Sequence, residues 1–266
     1  MSIAPAPFEP APPEVPLPAA PLVTVLSQIR WVSVTHLKTS LDTFAKRFGE
    51  KISNEYPIYG EHHQIQLIVT PTGATQEPGG MVYQFRSPDE TWKVSFSEVF
   101  ITLETSRYTS RADFCHRFRH LLEVLAATVE IPIVERIGFR YVNRVDKAED
   151  YSRITELVNS QALGITRIPQ LVHSISEAVY KLNDANLLAR SVFLPPEKTF
   201  DPIIKPSPNK SWILDLDAYV EERSSFSSET LSETASKLSG IAYGYFRWAI
   251  TPEFLKAYGG GISDPL

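Results

Sequence analysis

Apolar and polar positions alternate through residues 135–146, ERIGFRYVNRVD: Ile137, Phe139 and Tyr141 interleave with Arg136, Gly138 and Arg140. A period of two belongs to a strand with one face on a core. On that reading Arg136, Arg140 and Arg144 share the opposite face, spaced four residues apart. Upstream, residues after Pro21 (LVTVLSQIRWVSV) supply the β-branched and aromatic side chains of a first strand. Leu41, Phe44, Phe48 and Ile52 recur every three or four positions and predict a helix over residues 41–56, closed by Tyr56-Pro57.

Strands are expected at residues 65–70, 81–86, 92–97 and 100–105, with PTGATQEPGG as a long Gly/Pro-rich turn and SPDET as a tight polar one. A second helix begins after Ser110 with Phe114, Phe118, Leu121, Leu122 and Leu125 on its apolar face. Past the central strand, a short helix at residues 151–160 leads to strands at 174–182, 187–194 and 212–217. A final helix over residues 228–250, capped by Ser227 or Ser228, buries Leu231, Leu238, Ile241, Tyr245 and Ala249.

The order strand, helix, antiparallel strands, helix thus occurs twice. LETSRY (residues 103–108) and LDLDAY (residues 214–219) rhyme at the same place in that order, which suggests an internal duplication. The expected fold class is α+β: two similar halves forming a curved antiparallel sheet covered on one face by long helices. The expected organisation is a Pro-rich disordered arm at 1–21, a first half at 22–134, a second at 135–251 and a C-terminal tail at 252–266. Eight prolines in the first 21 residues forbid a hydrogen-bonded helix or a central strand there, leaving a disordered lead-in or a docking arm.

The segment ERIGFRYVNRVD, with Tyr56-Pro57, the Trp92 strand and the start of the helix between Tyr108 and Phe114, resembles a sporadically distributed bacterial family of about this length. That family carries an Arg-Ile-Gly-Leu-Arg-Tyr-Ile-Asn type motif; Phe139 stands here for its Leu and Val142 for its Ile. The resemblance spans most of the chain between Pro21 and Thr251. It implies no catalytic residues, and the family's patchy distribution implies a setting among toxin–antitoxin, immunity or defence genes.

Composition narrows the function classes. With 266 residues, 43% apolar and 21% charged, the chain can bury roughly 70% of its unfolded surface. A net charge of −5 argues against nucleic acid as the main partner. No apolar run reaches the about 18 residues a membrane helix needs, and MSIAPAPFEP lacks the regions of a secretory signal, so a cytoplasmic protein is expected. Cys115 is the sole cysteine, which excludes an internal disulfide and a cysteine-based zinc site.

Candidate chemistry is thin. His116, His120 and Glu123 share a helix side at zinc-binding spacing, but Phe118 and Leu125 point the other way, which reads as a solvated face. His62-His63 alternate sides of a strand. Asp215 and Asp217 share a strand face, as a two-metal site requires, without a phosphate loop or third carboxylate. Cys115 and His116 diverge about 100° around a helix, so they make no nucleophile–base pair.

The expectation is therefore a non-enzymatic macromolecule-binding protein with no catalytic residues, metal or cofactor and with another protein as partner. Its candidate contacts are Arg136, Arg140, Arg144, Tyr141, Asn143 and Trp248. The alternatives are a sensor holding a small anion in the guanidinium forks of the arginines and, at low weight, a metal-dependent phosphoryl-transfer enzyme. The arginines have an equally plain structural use: cross-strand pairing with carboxylates such as Glu104 or Asp215.

Overall fold

The computed structural model describes residues 13–70, 73–168 and 170–260. It is α+β, with antiparallel strands and helices packed on them. In chain order the elements are β1 (Leu22–Trp31), α1 (Thr35–Ile52), β2 (Ile58–Thr70), β3 (Gly73–Arg86), β4 (Trp92–Ser97), β5 (Phe100–Thr105), α2 (Arg111–Ala126) and β6 (Ile133–Val145). There follow α3 (Ala148–Ser152), α4 (Ile154–Leu157), α5 (Ser160–Leu163), a 3-10 turn (Gly164–Arg167), β7 (Ser174–Lys181), β8 (Asn186–Leu194), β9 (Ser211–Val220), β10 (Ser224–Ser225), α6 (Ser228–Ala249) and α7 (Pro252–Ala257).

Two compact units divide the chain, neither of them contiguous. One comprises residues 26–138 and 221–235; the other comprises residues 1–25, 139–220 and 236–266. The chain passes from one to the other inside β1, inside β6, at the end of β9 and inside α6.

In the first unit the strand order is β2-β3-β4-β5-β1-β6, with β10 beside β6. Register places Tyr83 opposite Phe96 and Phe96 opposite Ile101, and likewise Phe85, Val94 and Leu103, so these share a face. On that face Phe48 of α1 stacks on Phe96 at 5.5 Å and meets Phe85 edge-on at 5.9 Å, while Phe114 of α2 lies 5.7 Å from Trp92. Aromatic rings offset in this way add to the burial of their area. The five apolar positions expected of α2 are its five buried residues, and the Ser110 hydroxyl accepts from the Asp113 amide as N-cap. The opposite face is polar: Gln84, Ser95 and Thr102 form a row, and Gln28 Nε2 donates to Thr102 Oγ1 at 2.9 Å.

Two expectations for this unit need correction. The helix predicted from residue 41 starts at Thr35, because two helical pieces meet at a kink at Ser40 (φ −139°), and periodicity marks only the second. PTGATQEPGG is not a long turn: Gly73–Gly80 extend β3 and pair with β2, Pro71-Thr72 lying outside the described residues. Pro78 is tolerated because the register shifts between His63 and Ile65, at the point where it pairs.

In the second unit the order is β6-β9-β8-β7, with β8 and β9 antiparallel through nine successive residue pairs. Trp212, Leu214 and Leu216 share one face with Phe193 and Ala189. On β7, Tyr180 lies 5.7 Å from Tyr245 of α6. Residues 252–258 are no tail: Phe254 and Tyr258 are buried, 4.5 Å apart. Nor is the N-terminal stretch a free arm throughout. Residues 13–20 lie along α6 and α7, where Val15 N–H donates to the Tyr243 hydroxyl (2.9 Å) and Ala19 N–H to the Tyr258 carbonyl (3.3 Å). This accounts for the aromatic residues around α6: Tyr245 meets the sheet, Tyr243 the proline segment, and Phe246 meets Phe254 edge-on at 5.7 Å.

Candidate functional site

Strand register builds a row of charges in the second unit before any side chain is considered. Glu177 of β7 stands opposite Arg190 of β8, and Arg190 opposite Asp215 of β9. Side chains directly opposite in an antiparallel pair lie on one face within reach of each other. The contacts follow: Arg190 Nε donates to Glu177 Oε2 at 2.6 Å and Arg190 Nη1 to Asp215 Oδ2 at 3.1 Å.

Arg140 of β6 closes the row. Its Nε donates to Asp215 Oδ1 (2.6 Å) and its Nη2 to Asp215 Oδ2 (2.9 Å), a bidentate fork, while Nη2 also donates to Asp201 Oδ2 (2.6 Å). Asp215 is 1% exposed and Arg140 9%. Two guanidinium groups face three carboxylates, and desolvation makes their mutual dependence strong. Burial alone would lower the Arg140 pKa; Asp215 and Asp201 outweigh it and push it up.

Asp201 arrives on the connection between β8 and β9. That connection is shaped locally: the Thr199 hydroxyl donates to the carbonyls of Asp201 and Ile204, and Ile203 N–H donates to Asp201 Oδ1 at 2.9 Å. Ile204 is seated with Val142, Val192, Leu194 and Ile213, and Phe200 packs against the same cluster. Burial raises the Asp201 carboxyl, but the Ile203 amide and then Arg140 hold it below the usual value.

The expected contact residues therefore have structural occupations. Arg144 Nη1 donates to the Lys205 carbonyl (2.7 Å) and its Nε pairs with Asp146 (3.0 Å). In the first unit, Arg136 lies 3.5 Å from Glu221. Glu104 pairs with Lys93 at 2.7 Å, not with an arginine. Tyr141 and Asn143 are buried, Tyr141 beside Phe139 at 5.0 Å. Trp248 is half-buried against Tyr245 (5.0 Å), and its carbonyl accepts from Asn159. The strict alternation expected of the central strand does not hold: from Ile137 to Asn143 every residue is buried.

The remaining candidates stay apart. Asp215 is held by two arginines, and among the described residues no group of three His, Cys, Asp or Glu is placed to hold a metal ion. His116 is exposed, His120 faces Glu55 at 3.8 Å, and Glu123 pairs with Arg119. His62 and His63 are exposed on β2.

Sequence reasoning missed a run of exposed apolar side chains: Ile165 (59%), Ile168 (53%), Val172 (72%), Ile175 (48%) and Val179 (59%). The available signal was Ile175 and Val179 on one face of a strand, where apolar residues ordinarily point to a core. No protein-family model matches the chain, and no curated protein matches it.

Proposed function

We propose that this chain works by binding another protein through the exposed side chains of Ile165, Ile168, Val172, Ile175 and Val179, and not by catalysis. One observation carries the reading. Of the eight large apolar side chains exposed among the described residues, five lie within this one short segment. Apolar side chains scattered singly need no explanation, whereas a concentration of them marks an interaction surface. In the setting that the family resemblance implies, such binding is the work of an antitoxin, an immunity protein or a defence accessory component.

The anion-sensor alternative has less support. The fork of Arg140 already holds Asp215 and Asp201, and Arg144 holds Asp146, so an incoming anion must displace a carboxylate of the chain itself.

The test is capture from host extract on immobilised wild type and on Ile168→Asp/Val172→Asp, with both shown to be folded by circular dichroism. A stoichiometric protein held only by the wild type supports the reading. Equal capture by both, or capture by neither, sinks it.

A further inference from the structure

β7 is an edge strand: among the described residues its sheet partner is β8 alone. Edge strands are ordinarily blunted by proline, by a bulge or by inward-pointing charge, because their free backbone groups recruit another strand. β7 has neither proline nor bulge, and the charges it carries, Glu177 and Lys181, are of opposite sign. SISEAVYK contains no proline, and its register with β8 runs unbroken through eight pairs. Its one acidic group, Glu177, is drawn toward Arg190 on β8. Ile175 and Val179 flank it, both exposed.

We infer that β7 pairs antiparallel with β7 of a second copy about a two-fold axis centred on Val179. This rests on the docking reading above and names the partner for the strand part of that surface. The choice of partner comes from arithmetic on the strand itself. A two-fold axis perpendicular to the sheet keeps each face on its own side, so odd-numbered residues meet odd-numbered ones.

Centred on Glu177, the pairing sets Glu177 against itself, and like charges directly opposite are destabilising. Centred on Ala178, it sets Ile175 against Lys181 and Glu177 against Val179. Centred on Val179, it sets Val179 against Val179 and Glu177 against Lys181 twice over, an apolar centre between two opposite-charge pairs. On the other face Ala178 meets Tyr180, so the large ring stands beside the small side chain. Lys181 is exposed and ends the strand, within reach of that exchange. The strand is thus complementary to its own reverse in one register, which a surface evolved only to repel other strands would not be.

The experiment is light scattering coupled to size exclusion across the micromolar range, on the full chain. The wild type is expected at twice the chain mass of 29.9 kDa. Val179→Lys, which places two ammonium groups at the axis on an exposed position, is expected at the single mass, with its circular dichroism unchanged and its melting temperature independent of concentration. In a Cys115→Ser background, Val179→Cys is expected to form an interchain disulfide under mild oxidation, while Ile175→Cys, which would face Asn183 of the other copy, does not.

A monomeric wild type, or a dimer indifferent to Val179→Lys, overturns the pairing. Cross-linking through Ile175→Cys in place of Val179→Cys overturns the register. None of these results touches the capture experiment with Ile168 and Val172, so the docking reading stands or falls separately.

Discussion

Arg140 and Asp215 meet as a two-pronged pair between β6 and β9, with Nε to Oδ1 at 2.6 Å and Nη2 to Oδ2 at 2.9 Å, and Asp215 is almost wholly buried. Removing the guanidinium takes the fork from a buried carboxylate and leaves it to Arg190 alone, which costs up to about 3–5 kcal/mol. Arg140→Met is therefore expected to lose stability on that scale in urea titrations. Arg140→Met/Asp215→Leu should recover part of it, because the buried carboxylate goes too, Arg190 keeps Glu177 and Asp201 keeps the Ile203 amide. Arg140→Lys should fall between, since an ammonium cannot span both oxygens. A double variant no better than the single one would deny the pair its structural role.

Asp201 makes the connection between β8 and β9 sensitive to acid. Its folded pKa lies below the ordinary carboxylate value, so its contribution is complete above the unfolded pKa of about 3.9 and is lost as pH falls through the folded value. Denaturation of wild type and Asp201→Asn should show a gap above pH ~4 that narrows at lower pH. A gap constant with pH would mean that Asp201 acts through its shape and not its charge.

Gly49 sits on α1 where a Cβ would run into the Phe85 ring. Alanine in a helix ordinarily gains roughly 0.8–1 kcal/mol over glycine. Here Gly49→Ala is expected to lower the melting temperature instead, because Phe85 is pinned between Phe48 and Tyr59 and has little room to yield. Phe85→Leu in the same background should restore part of the loss.

The Tyr243 hydroxyl accepts from Val15 N–H (2.9 Å) and from Arg247 Nη1 (3.1 Å). Tyr243→Phe should cost about 1 kcal/mol. It should also expose residues 13–20 to limited proteolysis while α6 stays intact by circular dichroism. Unchanged cleavage would show that packing, with Gly260 against Leu17, holds the segment unaided.

Local patterns were legible wherever one side of an element faces a core. Phe114, Phe118, Leu121, Leu122 and Leu125 follow helical period and are the buried set of α2; strands β4 and β5 were bounded to the residue by their turns. What could not be read came from pairings distant in sequence. Arg140 alternates with apolar residues and so resembles a solvent-facing position, yet two aspartates, 61 and 75 residues away, make its burial tolerable. Asp215 is legible in the sequence as an arginine partner, but Arg190 beside it is invisible without register. The first half of β3 hid behind Gly and Pro, whose turn preference is overridden by a long ladder with β2. The segment 13–20 looked free because proline forbids regular hydrogen bonding, while its carbonyls remain good acceptors: that of Pro13 takes Arg247 Nη1 at 3.2 Å.

Because both compact units are threaded from separate stretches of chain, synthesis on the ribosome imposes an order on them. Residues 26–138 emerge early and hold most of one unit; the other waits for the second part of α6 and for α7, which are made later. Until then β7 and its apolar neighbours are already outside while α6, which carries the Tyr245 that covers Tyr180, is still in the exit tunnel. Domains usually fold as they are made, N-terminal part first. Here the second unit cannot close until α6 has emerged, so the strand that later lies at the sheet edge is synthesised well before the helix that packs beside it.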